Sequence, residues 1–445
     1  MALSLLFLAS TAFAAEFLVV SDFHYDVAYN GHYNASANCS SELANGQQGM
    51  PAPAQAEDFV AFGRYGCDSS LALIESSIQA MSIVNAAPDF ILVTGDLIGH
   101  RTNSLLDPNE EYNPEYNHEL VLNSTSEIVA LFETYFPGTQ VIFTLGNNDG
   151  YEDYWTPSES EAEDFLAQLK DIFGRVNPSM SESFTQLGYY TSVTNDGSLV
   201  ISLNSNFFSI KRSIVAKKPS EEQLTWLDQQ LYSTDRRVIV SLHIPPGSSM
   251  YGGGVFESSD FAIDEFVRIL QRHQDKIDFV MSGHFHSTAF QLIPLTNLGI
   301  LVHPSVSPIF GNNPGFRHYI SKGSTFDFVD YFMNLKKAED GFLPQYTYSH
   351  IYRSPARDFK QLYEDLSSNE VLLIQYLVFA HGLKDNYGID VHESYIWKIS
   401  TGTSLQDREK GRRIALCSFK YVNNSEFEWC KNGLLPISAT SIREL

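Results

Sequence analysis

Five short apolar runs in the chain have the composition of buried β-strands, being rich in β-branched and aromatic residues. They occupy positions 17–20, 90–93, 141–143, 238–240 and 277–280. Patterns typical of helices lie between them, for example at 69–85, 160–173, 220–231 and 261–273. This alternation predicts a layered α/β fold, in which ligands collect outside the carboxyl ends of the strands.

Side chains that can bind a metal follow each of these runs directly. In chain order they are Asp22 and His24, Asp96, Asn147, His243, and His284 with His286. Each alone is weak evidence, because histidines and Gly-Asp pairs are common after strands. Together they offer oxygen and imidazole nitrogen donors for two divalent ions, with zinc expected and manganese or iron also compatible. Asp96 is the natural bridging carboxylate, and Gly146 is expected to let the backbone turn sharply at Asn147.

Two long polar segments, 28–66 and 102–118, follow the first two ligand-bearing runs. Loops of this length in a compact domain are either functional or plain surface insertions. Their position makes them candidate walls of a substrate cleft.

The composition indicates a globular chain that passes through a secretory pathway. With 445 residues and 43% hydrophobic composition, it can bury one large core or two. Residues 1–15, MALSLLFLASTAFAA, have the pattern of a cleaved signal peptide, the alternative being a core helix. No later apolar stretch is long enough to cross a bilayer. The expected location is extracellular, or the lumen of a lysosome or vacuole.

Four cysteines and four N-x-S/T triplets agree with this route. The four cysteines allow three pairings, and neighbours in sequence are expected to pair, Cys39 with Cys67 and Cys417 with Cys430. The triplets begin at Asn34, Asn38, Asn123 and Asn423 and predict a glycoprotein.

The formal net charge of −24 argues against binding of a nucleic-acid duplex. An anionic substrate therefore needs a local positive centre. The basic clusters Lys211-Arg212, Lys217-Lys218 and Lys410 with Arg412-Arg413 are more typical of solvated faces. A bound metal would supply that centre better.

The ordered set D-x-H, GD, GN, H and GHxH resembles the calcineurin-like binuclear metallophosphoesterases. More narrowly, "DFHYD", "FGRYGCDSS", "GDLIGH" and "HPSVSPIFGNNPGFR" resemble the acid sphingomyelinase-like phosphodiesterases and the related fungal endopolyphosphatases. This resemblance implies two mainly mixed β-sheets packed as a sandwich and flanked by helices, over 16–350. It further implies a small, mostly helical C-terminal subdomain over 351–445 with a disulfide.

The resemblance also implies roles for individual residues. One metal would be bound by Asp22, His24, Asp96 and His286, and the other by Asp96, Asn147, His243 and His284. In such sites a metal-activated hydroxide attacks phosphorus. His100, within "GDxxxH", is the expected acid for the leaving group. Asn148 stands where many family members have histidine, and it can donate a hydrogen bond but cannot transfer a proton near neutral pH.

Two further features resemble family features near the metal site, Asn204 and the segment that ends in Arg317. Turn formation explains the Asn-Pro-Gly sequence before Arg317 equally well. For Arg317 itself, a structural ion pair is the favoured interpretation over phosphate contact.

Three hypotheses for function follow. The first is a phosphodiesterase that acts on a phosphodiester or phosphoanhydride of a small molecule, such as a nucleotide or a phospholipid headgroup. The second is an endopolyphosphatase, supported by the GNND sequence and opposed by 53 acidic against 29 basic residues. The third is an inactive secreted binding protein that kept the fold.

Overall fold

The structure is a computed structural model that describes residues 15–27, 29, 61–100, 114–150, 153–156, 159–211, 217–249, 261–322, 325–353, 358–382 and 405–437. The strands are β1 (Phe17–Val20), β2 (Phe90–Val93), β3 (Val141–Phe143), β4 (Tyr190–Val193), β5 (Leu199–Ser202), β6 (Val238–Ser241), β7 (Ile277–Ser282), β8 (Ala289–Leu292), β9 (Gly299–Val302), β10 (Gly315–Lys322), β11 (Thr325–Met333) and β12 (Phe342–Thr347). All five predicted strands are present, and β6 and β7 extend beyond their predicted ends.

The helices are α1 (Leu71–Val84), α2 (Pro114–Tyr135), α3 (Glu159–Gly174), α4 (Phe184–Leu187), α5 (Lys217–Ser233), α6 (Phe261–Arg272), α7 (Tyr348–Tyr352), α8 (Phe359–Ser368), α9 (Glu370–Phe379), α10 (Leu405–Lys420) and α11 (Asn424–Lys431), with 3-10 helices at Ser205–Phe208 and Leu335–Asp340. The four predicted helices correspond to α1, α3, α5 and α6. The prediction of a loop over 102–118 is wrong at its end, since α2 begins at Pro114. The structure describes neither 101–113 nor most of the earlier segment 28–66.

The strands form two six-stranded sheets, and both are mixed. Sheet 1 has the order β12-β11-β10-β1-β2-β3, in which β1, β2 and β3 are parallel and the other pairings are antiparallel. Sheet 2 has the order β4-β5-β6-β7-β9-β8, in which only the two edge strands are antiparallel. The predicted fold class is therefore confirmed.

Alternating side chains along the strands of sheet 2 pack on two different layers. Ile239 and Phe279 belong to the apolar core shared with sheet 1, where the Phe279 ring contacts Phe17 of β1 at 5.9 Å between centroids. Val238 and Val240 point the other way, into a core with α5 and α6. This period of two is expected for a strand buried on both faces. The result is a sandwich of two sheets with helices outside.

The parallel strands place the predicted ligands on one side of the sandwich. In sheet 1, β1, β2 and β3 run side by side and end at the segments with Asp22, Asp96 and Asn147. In sheet 2, the neighbouring parallel strands β6 and β7 end just before His243 and His284. The carboxyl ends of parallel strands lie at the same edge of a sheet, so these segments meet.

The C-terminal helices pack against the edge of sheet 2. The Phe290 ring of β8 stacks on Phe419 of α10 at 4.8 Å and on Phe359 of α8 at 6.0 Å between centroids. The disulfide Cys417–Cys430 joins α10 to α11, as predicted. Cys39 and residues 1–14 of the predicted signal peptide lie outside the described residues, and the domain boundary at 350 stays a prediction.

Candidate metal centre

The strand-end side chains form two groups of potential metal ligands. Asp22, His24 and His286 make the first group, and Asp96, His243 and His284 make the second, with the ligand atoms of each group within 4.8 Å of one another. Asn147 joins the second group, since its Oδ1 lies 3.2 Å from His243 Nε2. The structure therefore brings together all seven residues that the sequence predicted as ligands.

One oxygen of Asp96 lies between the two groups. Its Oδ2 is 3.3 Å from His24 Nε2 and 3.0 Å from His243 Nε2. Asp22 Oδ1, by contrast, is 3.5 Å from His286 Nε2 and 3.9 Å from His243 Nε2. Asp96 is therefore the carboxylate that contacts both groups.

Left-handed backbone is concentrated at the site. Among the described residues, eight that are not glycine have positive φ, and five of them are predicted ligands: Asp22 (52°), His24 (44°), Asp96 (57°), His284 (74°) and His286 (53°). Such conformations cost of order 1–3 kcal/mol each and persist only where the surrounding structure enforces them. Backbone hydrogen bonds supply part of this restraint, from Asp22 N–H to the Gly95 carbonyl at 2.9 Å and from His24 N–H to the Asp96 carbonyl at 3.0 Å.

Two glycines allow the ligand loops to approach one another closely. A Cβ on Gly146 would lie 2.1 Å from Asp96 Oδ1, and a Cβ on Gly283 would lie 2.0 Å from Ser21 Oγ. Gly146 is not among the glycines with positive φ, so a glycine is not required there for a left-handed backbone. It is needed because a side chain there would displace Asp96.

Hydrogen bonds behind the ligands fix which atom faces the site. Nδ1 of His243 donates to the Thr94 carbonyl at 2.8 Å, which leaves Nε2 unprotonated when the ring is neutral. Nδ1 of His286 lies 3.1 Å from Ser305 Oγ. The Asn147 amide Nδ2 donates to Asp153 Oδ1 at 2.8 Å, so the amide oxygen points toward His243. Partners of this kind orient ligands in metal sites.

The four histidines of the two groups have divergent proton affinities. Burial is the largest single effect and favours the neutral ring at each, yet at His24 and His243 the interactions with Asp96 and Asp22 together outweigh it and raise the pKa to about 9. Burial dominates at His284 and His286, aided by the positive charges of His243 and His24 respectively, and lowers the pKa of both to about 3. At neutral pH the metal-free site therefore contains both charged and neutral imidazoles.

The carboxyl groups of Asp22 and Asp96 are buried, and burial alone would raise their pKa. Charge interactions and hydrogen bonds, chiefly with His286 and His24 at Asp22 and with His243 and His24 at Asp96, together reverse this effect, and both pKa values lie well below the usual range. Within the described part of the chain, neither carboxylate forms an ion pair with lysine or arginine. Buried carboxylates whose cationic partners are imidazoles have the donor chemistry of a divalent metal site.

His100 lies beside the first group. The partner of its imidazole, Asp68, was not predicted from the sequence. The ring of His100 stacks on His24 at 4.1 Å between centroids, and its Nδ1 lies 3.1 Å from Asp68 Oδ2. Asp68 is buried and also accepts the backbone N–H of His100 at 2.7 Å. The side chain of His100 is 25% exposed and so is accessible to solvent. Asp68 is contained in the "FGRYGCDSS" segment of the family resemblance, which was the available signal.

Asn148 and Asp149 hold Asp96 from two sides. The Asn148 side-chain amide donates to Asp96 Oδ2 at 2.9 Å, and its backbone N–H donates to Asp96 Oδ1 at 2.8 Å. Asp149, which sequence reasoning missed, accepts the backbone N–H groups of Asp96 at 3.0 Å, Leu97 at 2.6 Å and Gly146 at 2.7 Å. Burial and the charge of Asp96 raise the pKa of Asp149 to about 6. Asp149 thus links the loop that contains Asp96 to the loop that contains Gly146 and Asn147.

Asn204 and Arg317 have structural contacts. The Asn204 side chain caps the 3-10 helix Ser205–Phe208 and donates to the Leu187 carbonyl at 3.0 Å. Arg317 is buried and forms a two-point ion pair with Asp330, at 2.6 and 2.9 Å. The structural interpretation of Arg317 is therefore confirmed.

The chain matches a known family over most of its length. Residues 15–288 match the profile of the calcineurin-like phosphoesterases. The chain belongs to this family. Membership makes it a hydrolase of phosphoric esters and implies divalent metal ions at the site.

Relatives extend this similarity beyond the matched region. Sphingomyelinase phosphodiesterase D of Dictyostelium discoideum is 27% identical over 443 residues, which cover 92% of this chain and 95% of the relative. Mouse acid sphingomyelinase-like phosphodiesterase 3b is 27% identical, covering 84% of this chain and 82% of the relative. Bovine cyclic GMP-AMP phosphodiesterase SMPDL3A is 25% identical, covering 78% of each. Among the described residues, no helix combines the length and apolar character needed to span a membrane.

Proposed function

We propose that this phosphoesterase is a secreted phosphodiesterase with two divalent metal ions, most compatible with zinc. Asp22, His24, Asp96 and His286 would bind one ion, and Asp96, Asn147, His243 and His284 the other. The observation that supports this assignment best is the position of Asp96 Oδ2, close to an imidazole of each group. When bound, two such ions polarise the phosphoryl oxygens of a substrate and lower the pKa of a water molecule.

In this proposal His100 protonates the leaving oxygen. It is the partly exposed histidine next to the first group, and Asp68 orients its ring through Nδ1. Nε2 is then the atom available to a substrate.

Asn148 would act differently from the histidine that is common at this position. Its amide donates to Asp96, which fixes the carboxylate that would bridge the two ions. The second amide hydrogen can donate to a phosphoryl oxygen, because a primary amide has two. In this proposal His100 alone transfers a proton to the leaving oxygen.

The proposed substrate is a phosphodiester or phosphoanhydride of a small molecule, of the nucleotide or phospholipid-headgroup type. Relatives named sphingomyelinase phosphodiesterase and cyclic GMP-AMP phosphodiesterase support both types. Export to an extracellular or lysosomal compartment is supported by the disulfide Cys417–Cys430, since disulfides persist in oxidising compartments.

Endopolyphosphatase activity is the second candidate, because Asn148 completes the GNND sequence. A panel of a nucleotide, a bis-aryl phosphate and long-chain polyphosphate separates the two, with metal content measured on the same sample. We expect hydrolysis of the two small substrates by protein with about two ions per chain. Preferential cleavage inside the polymer would favour the second candidate. Absence of both metal and turnover after addition of zinc or manganese would favour an inactive binding protein.

A further inference from the structure

Lys211 lies at the edge of the metal centre, on the side of the second group. Its Nζ is 4.1 Å from the centre of the Tyr154 ring and 3.9 Å from Asp153 Oδ2. The side chain is 58% exposed, so the ammonium group is available to a ligand from solvent. The distance to Asp153 exceeds that of a hydrogen bond, and such exposed ion pairs are weak.

Both contacts of Lys211 are themselves fixed to the predicted ligand Asn147. The backbone N–H of Tyr154 donates to the Asn147 carbonyl at 2.8 Å, and Asp153 Oδ1 accepts the Asn147 amide at 2.8 Å. Tyr154 has a left-handed backbone with φ of 59°, a conformation that a bulky residue adopts only under restraint. Its ring meets His284 edge-on at 6.2 Å between centroids. The position of the ammonium group is therefore coupled to the second group.

Lys211 and His100 lie beside different ligand groups. His100 stacks on His24 of the first group, whereas Lys211 reaches the second group through Tyr154. In the proposed function the leaving oxygen lies at His100. In a substrate that spans both ligand groups, the part that stays on phosphorus would then be the part nearer to Lys211.

We propose that Lys211 binds a second anionic group on the retained part of the substrate and so selects substrates with an additional phosphate over those with a cationic headgroup. This inference rests on the proposed phosphodiesterase function. A fixed ammonium attracts a second phosphate and repels a quaternary ammonium. Because the chain is strongly acidic, with 53 acidic and 29 basic residues, a local positive charge beside the metal centre would favour a polyanionic substrate.

The test uses three p-nitrophenyl phosphodiesters with the same leaving group and different retained groups. The retained group is a second p-nitrophenyl, a choline, or a nucleoside that bears an additional phosphate. Values of kcat/KM are measured for the wild-type protein, for Lys211→Gln and for Lys218→Gln. Lys218 is a matched control, because it is an exposed lysine of α5 that pairs with Glu222 at 3.3 Å.

In Lys211→Gln, the ratio of kcat/KM for the phosphate-bearing ester to that for the bis-aryl ester should fall about fivefold, the upper end for an exposed ion pair. In the same variant, the ratio of kcat/KM for the choline ester to that for the bis-aryl ester should rise. High salt should reduce the wild-type preference in the same way, since it screens exposed charges. Unchanged ratios in Lys211→Gln, or equal changes in Lys218→Gln, would overturn the role of Lys211. Failure of the wild-type protein to hydrolyse the bis-aryl ester would instead overturn the proposed function.

Discussion

The carboxylate of Asp68 lies 3.1 Å from Nδ1 of His100, while the face of the same imidazole stacks on His24. Asp68 is completely buried and also accepts a hydrogen bond from Ser307 Oγ at 3.1 Å. The carboxylate therefore cannot move without breaking other contacts. It fixes the orientation of His100 relative to the first group of ligands.

Replacement of His100 by alanine should separate proton transfer from metal binding. We expect His100→Ala to retain its metal and to lose roughly 10²–10⁴-fold in rate on substrates with poor leaving groups, if His100 is a general acid. Aryl esters with leaving groups of graded pKa measure this, because good leaving groups need no proton. An equal loss on good and poor leaving groups would remove His100 from that role.

Asp68→Asn should show a weaker form of the same defect. The asparagine keeps an acceptor for the His100 backbone N–H but loses the negative charge, so we expect a loss of roughly 10- to 100-fold on poor leaving groups. The dependence of kcat on leaving-group pKa should become steeper than in the wild type. Unchanged dependence in Asp68→Asn, with a clear effect in His100→Ala, would show that the carboxylate has no part in orienting the ring.

The sequence was sufficient to predict that seven potential donors lie together and insufficient to predict the role of Asp68. The donors could be found because each follows a short buried strand, and the carboxyl ends of parallel strands converge. Asp68 lies just before α1, where acidic residues commonly form turns and caps. Its contact with His100 joins positions 32 residues apart and depends on packing rather than on local pattern.

Two strands of sheet 1 that follow the ligand loops in the sequence, β10 and β11, could not be predicted from the sequence either. β10 and β11 have eight and nine residues, yet their pattern did not distinguish them from the irregular segments around them. β10 pairs antiparallel with β1, and Phe17 lies opposite Tyr319. Such pairing between distant parts of the chain is set by tertiary contacts, which override local preference.

His286→Ala should lose metal as well as activity. His286 Nε2 lies 3.0 Å from His24 Nε2, so its removal takes one imidazole from the first group and leaves Asp22 buried beside the gap. Elemental analysis of the purified variant and the rate on a bis-aryl phosphate measure the two effects. His273→Ala is the control, because His273 pairs with Asp228 at 2.7 Å and is not among the predicted ligands. Full metal content in His286→Ala would contradict the assignment.

Gly146→Ala should disturb Asp96 directly. The added Cβ would lie 2.1 Å from Asp96 Oδ1 and 2.3 Å from its backbone nitrogen, so the loops must separate. Overpacking of this kind costs roughly 1–3 kcal/mol, and we expect reduced metal content in addition. Urea unfolding and elemental analysis measure the effects. Gly174→Ala, where the new Cβ would meet nothing within 4 Å, should be close to neutral. Equal behaviour of the two variants would show that the loops tolerate the methyl group.

The disulfide Cys417–Cys430 should stabilise the C-terminal helices without affecting the metal centre. It closes a loop with a sequence separation of 13, which corresponds to about 3 kcal/mol when it restricts the unfolded chain. The double variant Cys417→Ala/Cys430→Ala should therefore unfold at lower urea concentration and keep its metal content at low temperature. Ser418→Ala, at a buried neighbour in α10, is the control. A loss no larger than in the control would mean that packing alone holds α10 to α11.

Metal binding should release about two protons per chain at pH 6, one each from His24 and His243, whose pKa values are raised to about 9 in the metal-free site. Both rings are charged at this pH and must lose a proton before they bind a metal. His284 and His286, with pKa values of about 3, are already neutral, and the carboxylates of Asp22 and Asp96 are already ionised.

Calorimetric titration of chelator-treated protein with zinc, in buffers of different ionisation enthalpy, measures this release. The contribution of the two histidines should disappear as the pH rises through about 9, because both rings then lose their protons without metal. His24→Asn should reduce the release at pH 6 by about one proton, whereas His273→Ala should leave it unchanged. Metal binding at pH 6 without proton release would show that the two rings are neutral in the metal-free protein, contrary to the electrostatic effect that Asp96 exerts on them.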